Sequence, residues 1–453
     1  MKSDISLMTK GPIYKQILSF ALPIFWGQLF QQMYNMVDSI VVGRFVGMDA
    51  LAAVSSSGSL VQLLVGFFVG CFMGAGVVIS KYFGAEDEDR VSRAVHTAVL
   101  FGVTAGAVLT VIGTIFTGQF LQWMGTPAGV LPQAIDYLRI YFYGALFMAL
   151  FNTASGIFQA VGDSRHPLYY LIISSVTNIV LDLLFVAVMD MGVAGAAIAT
   201  VISQGVGVSL AFIRLCTTKE IYRVRIKRLR FDGELLREIL RTGMPAGVQN
   251  SVISLANVVV QSNINAFDAA AMAGYGASSK VEGFVFIPIT SFAMAMTTFI
   301  SQNLGAKKYK RAKRGAAFGI ITCCIIAQLV GVIYYFTAPY LVALFNSEPE
   351  VVALGTKHAH IIAFFFFLLA ISHCAAGIMR GAGKAVVPML VMLICWCVIR
   401  VTYITVVTQF IPKIEVVYWA YPLTWALSGI IFTIYMLKSD WVHSFEKTKT
   451  AAR

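Results

Sequence analysis

Apolar stretches long enough to cross a bilayer recur from one end of this 453-residue chain to the other, and that feature leaves few folds open. A helix needs about 20 residues to cross the hydrocarbon core. Inside the core the backbone has no water to bind, so only helices and closed barrels are viable spanning structures. Barrel strands would read as alternating segments of about 10 residues, whereas the runs here are continuous. Composition agrees, with 58% of residues hydrophobic and 12% charged, where an ordinary soluble domain is about one quarter charged. The sequence therefore predicts an all-α membrane protein.

Apolar runs between polar breaks place twelve transmembrane helices near 14–42, 51–80, 94–117, 132–160, 167–189, 193–215, 238–266, 271–304, 315–338, 351–379, 386–410 and 416–437. The start, MKSDISLMTKGPIYKQ, is polar, and the run after it is too long for a signal-peptide core, so the first span is expected to be retained. The net charge of +12 sits in short loops rather than on a nucleic-acid-binding face. Of the Lys and Arg residues, 28 fall on the side of the termini and three (Arg44, Lys357 and Lys413) on the other. The positive-inside rule then puts both termini in the cytoplasm of a multi-pass inner-membrane protein. The basic segment IYRVRIKRLRFDGELLREIL (221–240) joins spans six and seven; it is open to reading as a specific anionic-lipid site, but the commoner role of such a segment is a topology determinant lying on the inner leaflet. The seven cysteines lie in or beside apolar runs without zinc-ligand spacing and read as small hydrophobic side chains.

The two halves match each other at one spacing. ISKYFGA (79–85) aligns with ISQNLGA (300–306), GIFQAVGDSRHP (156–167) with GIMRGAGKAVVP (377–388), Gln28 with Gln249 and Arg90 with Arg311, all at a shift of 221. That shift covers six helices, so the halves are parallel repeats, as in many transporters. The expected organisation is an N-lobe at 1–218, a basic linker at 219–237 and a C-lobe at 238–453, two lobes around a central cavity.

An ionisable residue inside a span marks a functional site by default, because burying it is costly. Asp38 in span one lies about 9 Å, and Asp182 in span five about 12 Å, below the outer surface at 1.5 Å per residue. Thr200 sits at a similar depth, Asn178 shares a face with Asp182 at i, i+4, and Asn152 falls near mid-depth in span four. Such an oxygen-rich set suits a proton or a small hard cation. Shifted by 221, positions 38, 178 and 182 become Val259, Ile399 and Tyr403, so the second half lacks the constellation. Its own charges are Lys280, Glu282 and Arg400, open to structural pairing or substrate contact. Asp136 and Arg139, three apart, are expected to pair at the interface. A cavity between the lobes is expected to be lined by Gln28, Met33, Met36, Gln249, Asn250, Phe284, Phe286 and Met294 together with those three charges, since thioethers and rings adapt to varied apolar cations.

Several motifs resemble the multidrug and toxic compound extrusion (MATE) family: LPIFWGQLFQQMYNMVDSIVVGRFVGMDALAAV (22–54), GIFQAVGDSRHP (156–167), MPAGVQNSV (244–252) and FISQNLGAKKYKRAKRG (299–315). The resemblance covers nearly the whole chain. It implies twelve helices in two lobes and an antiporter exporting small lipophilic, often cationic compounds in exchange for H⁺ or Na⁺. Asp38, Asn152, Asn178, Asp182 and Thr200 look like the N-lobe cation set of its DinF-like branch, with Na⁺, if it is the coupling ion, at Asp38, Asn178 and Asp182. Another branch carries acids in spans seven and ten, and this sequence has neither.

The competing reading is a flippase for lipid or polysaccharide precursors of the same superfamily. Anionic lipid-linked cargo would favour a cationic cavity, whereas the clearest buried charges here are acidic. No Walker A pattern is present, and the His residues at 357–360 and His373 lack HExxH spacing. The expectation is a non-enzymatic monomer without organic cofactor, handling small molecules in contact with membrane lipid.

Overall fold

The computed structural model describes residues 8–124 and 126–446; Lys2, Lys447, Lys449 and Arg453, counted in the charge bias, lie outside them. The described residues form helices with no β-strand. In the first half these are α1 (Ile13–Phe45), α2 (Met48–Gly84), α3 (Glu88–Trp123), α4 (Leu131–Tyr143), α5 (Ala145–Ala160), α6 (Arg165–Asp182) and α7 (Gly192–Thr217). In the second they are α8 (Gly233–Ile264), α9 (Ala269–Gly305), α10 (Tyr309–Ala343), α11 (Pro349–Ala363), α12 (Phe366–Gly381), α13 (Val386–Met392), α14 (Arg400–Phe410) and α15 (Ile414–Lys438). α4 and α5 are one bent rod, as are α11 and α12, while π-helical turns extend α6 (Leu183–Val188) and join α13 to α14 (Leu393–Ile399). Six rods per half result, matching the expected twelve spans.

Eight of these helices, or ten spans with the bent pairs, are long and apolar enough to cross a membrane. α1 and α8 have the length as well, but amides interrupt them: Gln28, Gln31, Gln32 and Asn35 in one, Gln249, Asn250, Asn257, Gln261 and Asn263 in the other. The repeat is visible as geometry. α4 and α5 bend by 48° at Gly144, and α11 and α12 by 58° at Phe364–Phe365, which is the same place after a shift of 221.

The chain packs as two compact units. One is Leu22–Gly247; the other joins Met8–Ala21 to the chain from Val248 onward. Each therefore owns the opening turns of the helix that continues in the other. Within the first unit, Gly70 and Gly74 of α2 face Gly243 and Gly247 of α8. A Cβ at Gly243 would stand 2.5 Å from the Cys71 carbonyl oxygen, so only glycine admits this backbone contact. Two small-xxx-small stripes meeting is the usual way membrane helices approach closely.

The last residues of the expected linker, Gly233–Arg237, already belong to α8. Asp232 caps that helix, its Oδ1 accepting from the N–H groups of Glu234 (3.1 Å) and Leu235 (3.2 Å). Asp136 and Arg139, expected as a pair, make no ion pair among the described residues; both side chains are exposed.

Candidate functional site

Asp182 is the last residue of α6 and fully buried; Asn178, one turn earlier on the same face, is 1% exposed. Beyond Asp182 the helix widens, with the Met189 N–H donating to the Leu184 carbonyl at 2.9 Å, five residues back. Such π-helical turns occur often at functional sites. Asp38, half-buried on α1, faces Asp182 within hydrogen-bonding reach. Val42 and Val186, each one helical turn past an acid, join Tyr137, Val193, Ala196 and Ala197 in a buried apolar cluster.

What the pair lacks is a donor. Oδ1 of Asp38, both carboxylate oxygens of Asp182 and Oδ1 of Asn178 are buried without a hydrogen-bond partner among the described residues. The Asn178 amide reaches only as far as Thr200 Oγ1, at 3.4 Å, and that hydroxyl donates to the Ala196 carbonyl. Two buried carboxylates side by side repel unless a proton or a cation lies between them, and unpaired buried charge is expensive. The site is thus one positive species short of balance. Asp38, Asp182, Asn178 and Thr200 come together, while the Asn152 amide turns back to the Met148 carbonyl of its own helix at 2.9 Å. Among the described residues Asn152 makes no hydrogen bond to the other four.

Three tyrosines complete the site and were not foreseen. Tyr34 and Tyr137 lie within electrostatic reach of both acids, and Tyr141 stacks on Tyr137 at 6.4 Å and faces Gln204. The signal was available: Tyr34 precedes Asp38 by four residues, Tyr137 precedes Tyr141 by four, and Gln204 follows Thr200 by four. Each spacing puts two side chains on one helix face.

The second unit treats its charges differently. Glu282 (7% exposed) and Arg400 (3% exposed) lie within electrostatic reach of each other, although no direct ion pair joins them among the described residues. Arg400 donates from Nε and Nη2 to Thr424 Oγ1, at 3.1 and 2.8 Å, and lies over the rings of Tyr421 and Trp396. Nearby, Ser278 Oγ meets His358 Nδ1 and the Tyr334 hydroxyl, each at 2.8 Å. Lys280, on the other face, is exposed with Nζ 5.4 Å from the Phe345 ring centre.

Of the expected substrate-contact residues, Met33 and Met36 are exposed at 45% and 41%, and Gln28, Asn250, Phe284, Phe286 and Met294 are half-buried. Gln249 is buried with Nε2 against Met392 Sδ, and Phe286 sits edge-on to His373 at 5.9 Å.

A twofold repeat of kinked, apolar rods is the organisation of a multi-pass membrane transporter. The MatE family model matches the chain twice, over residues 23–184 and 245–406. The "Probable multidrug resistance protein YoeA" of Bacillus subtilis (strain 168) is 30% identical, the match covering 93% of each chain. The "FAD transporter" of Shewanella oneidensis is 24% identical over 95% of each. A solved structure described as an outward-facing conformation of a multidrug resistance MATE family transporter of the MOP superfamily aligns with a TM-score of 0.91 over 99% of each chain, at 21% identity, and shares the fold. The chain belongs to the MatE family.

Proposed function

We propose that the protein is a secondary active antiporter of the DinF-like branch, exporting small lipophilic, mainly cationic organic compounds in exchange for H⁺ or Na⁺. The observation that carries this reading is the Asp38–Asp182 pair, buried side by side with three carboxylate oxygens lacking a donor. A proton or a Na⁺ ion supplies the missing positive charge, with the Asn178 and Thr200 oxygens as further ligands. Relatives named for multidrug resistance support organic substrates. Met33, Met36, Phe284, Phe286 and Met294 are the proposed apolar contacts, with Gln28, Gln249 and Asn250 as polar ones. Helices in the first half, the basic linker and helices in the second half act as N-lobe, connector and C-lobe, with both termini in the cytoplasm.

Coupling follows from differential affinity. The ion binds one conformer more tightly, substrate prefers the other, and each lowers the affinity for its rival by the same factor. Purified protein in proteoliposomes, with Na⁺ and pH gradients imposed separately, tests this through efflux of a fluorescent organic cation. Asp38→Asn and Asp182→Asn are each expected to reduce gradient-driven efflux to background; full coupled transport by both variants would sink the reading.

A further inference from the structure

On the Leu22–Gly247 unit, beside the N-terminal turns of α3, a cavity of about 290 Å³ is lined by Asp89, Ser92, Arg93 and His96 of the helix and by Lys227–Arg230 and Asp232 of the connecting strap. The strap is held rigidly from behind. Tyr222 and Val224 are buried, and the Val224 N–H donates to the Leu215 carbonyl at 2.9 Å. The Arg225 N–H donates to His96 Nε2 at 3.0 Å, while His96 Nδ1 lies 2.6 Å from the Ser92 carbonyl, so its proton sits on Nδ1. The Asp232 N–H donates to Thr97 Oγ1 at 3.2 Å, and Arg93 binds the Asp232 carboxylate. Between these pins the chain makes a 3₁₀ turn, Ile226–Arg228.

The charges on the two walls do not cancel. Arg93 pairs with both acids of the lining, Asp89 and Asp232. Lys227, Arg228 and Arg230 are exposed and have no acidic partner among the described residues. On the same strap Ile226 is 75% and Phe231 46% exposed. Fixed cations around a cavity, flanked by apolar side chains at the end of membrane helices, are the complement of a phosphodiester carrying acyl chains.

We propose that this cavity binds the headgroup phosphate of an anionic glycerophospholipid of the cytoplasmic leaflet. Lys227, Arg228 and Arg230 hold the phosphate, and Ile226 and Phe231 enter the glycerol and acyl region. The site is independent of the antiport reading, because none of its residues touches the buried acids.

Native mass spectrometry of the purified full-length chain in detergent tests the proposal, with phosphatidylglycerol, phosphatidylcholine or soluble glycerol phosphate titrated in. Phosphatidylglycerol is expected to give a saturable single adduct. Each basic side chain removed weakens it about fivefold, since one such residue near an anionic surface contributes about 1 kcal/mol. Lys227→Ala/Arg228→Ala/Arg230→Ala should therefore lose the adduct, and Ile226→Ala/Phe231→Ala should weaken phosphatidylglycerol while sparing glycerol phosphate. Equal binding of phosphatidylcholine, or an undiminished adduct in the triple variant, overturns the site. Glycerol phosphate binding as tightly as the lipid overturns the lipid as its ligand. Arg228→Lys/Arg230→Lys keeps the charge and is expected to keep the adduct; loss as complete as in the alanine variant would trace the effect to damage and overturn the charge-based site.

Discussion

The two halves share rods, kinks and a register of 221 residues, yet they handle buried charge in opposite ways. In the first unit two carboxylates, Asp38 and Asp182, face each other, and among the described residues three of their four oxygens are buried without a hydrogen-bond partner and no basic side chain pairs with them. In the second, Glu282 lies within reach of the guanidinium of Arg400, itself satisfied by Thr424 and two aromatic faces. One site is balanced only when something binds; the other balances itself. On the proposed reading, a scaffold duplicated in one chain reserves ion binding for one copy and lets the other serve as a polar core.

The sharpest way to break this contrast is to remove one charge from each half and compare stability. Arg400→Met takes from buried Glu282 its nearest opposite charge and from Thr424 its donors, and is expected to destabilise, though by less than the about 3–5 kcal/mol lost when a direct buried ion pair is broken. Adding Glu282→Gln to Arg400→Met should restore most of that loss. Asp182→Asn works in the other direction: it removes a like-charge contact and gives Asp38 an N–H donor. Its thermal midpoint in detergent is expected to equal or exceed that of the unaltered protein. If Asp182→Asn destabilises as strongly as Arg400→Met, the acid pair is a structural contact and the contrast collapses.

A second test uses equivalent glycines. Gly156 and Gly377 occupy the same place in the two repeats, but their surroundings differ. A Cβ on Gly156 would find its nearest neighbour, the Phe72 carbonyl oxygen, at 3.8 Å. On Gly377 it would collide with the Ala293 carbonyl, the equivalent residue of α9. Gly156→Ala should therefore be neutral, or stabilising by up to about 1 kcal/mol from helix propensity. Gly377→Ala should cost about 1–3 kcal/mol, the range for overpacking a tight contact. Similar midpoints for the two variants would mean that the halves pack alike at this crossing.

Much of this was legible in the sequence, for identifiable reasons. Hydropathy reports which segments avoid water, so most of the twelve rods could be read directly, while α1 and α8, interrupted by amides, were legible from their length and from the repeat. The cost of intramembrane charge singled out Asp38 and Asp182 without any contact being known. Depth along a helix, however, fixes rise and not rotation, which is why Asn152 could be placed at mid-depth while its amide bonds the Met148 carbonyl. The bend at Phe364–Phe365 has no proline or glycine to announce it, and the π-helical turn after Asp182 lies in LLFVAV, an unbroken apolar run. The strap before α8 read as a charged linker because its pins, His96, Thr97 and Arg93, belong to another helix. The opening turns of α1 pack with the second unit for the same kind of reason: contacts to residues some 300 positions away leave no trace in local pattern.

Those two entry segments give the last and smallest prediction. The first unit's strap depends on an acid, since Asp232 accepts from Arg93 and from the N–H groups that open α8. Although its partial burial works the other way, the Leu235 N–H and the Arg93 guanidinium together hold the Asp232 carboxyl below its ordinary value. The second unit's strap depends on cations donating to neutral carbonyls. Arg311 reaches the carbonyls of Met8, Lys10 and Gly11, and Lys308 that of Thr9 at 2.9 Å. The Arg311 guanidinium stays charged at any acidic pH. A carboxylate with a lowered native value contributes stability above its unfolded value, about 3.9 for Asp, and loses it as pH falls through the native value. Hydrogen exchange, corrected for its intrinsic pH dependence, should show residues 222–232 keeping their protection from pH 7 down to about 5 and losing it a few-fold as pH falls through about 4 and below, while residues 8–12 stay level. Asp89, Arg93, His96, Lys227, Arg228 and Arg230 also face the strap, so Asp232→Asn isolates the carboxylate: its strap should exchange faster at pH 7 and respond less to acid. An unchanged acid response in that variant would assign the effect to His96 or Asp89 instead, and equal responses of the two straps would erase the difference between acid-held and cation-held entry segments.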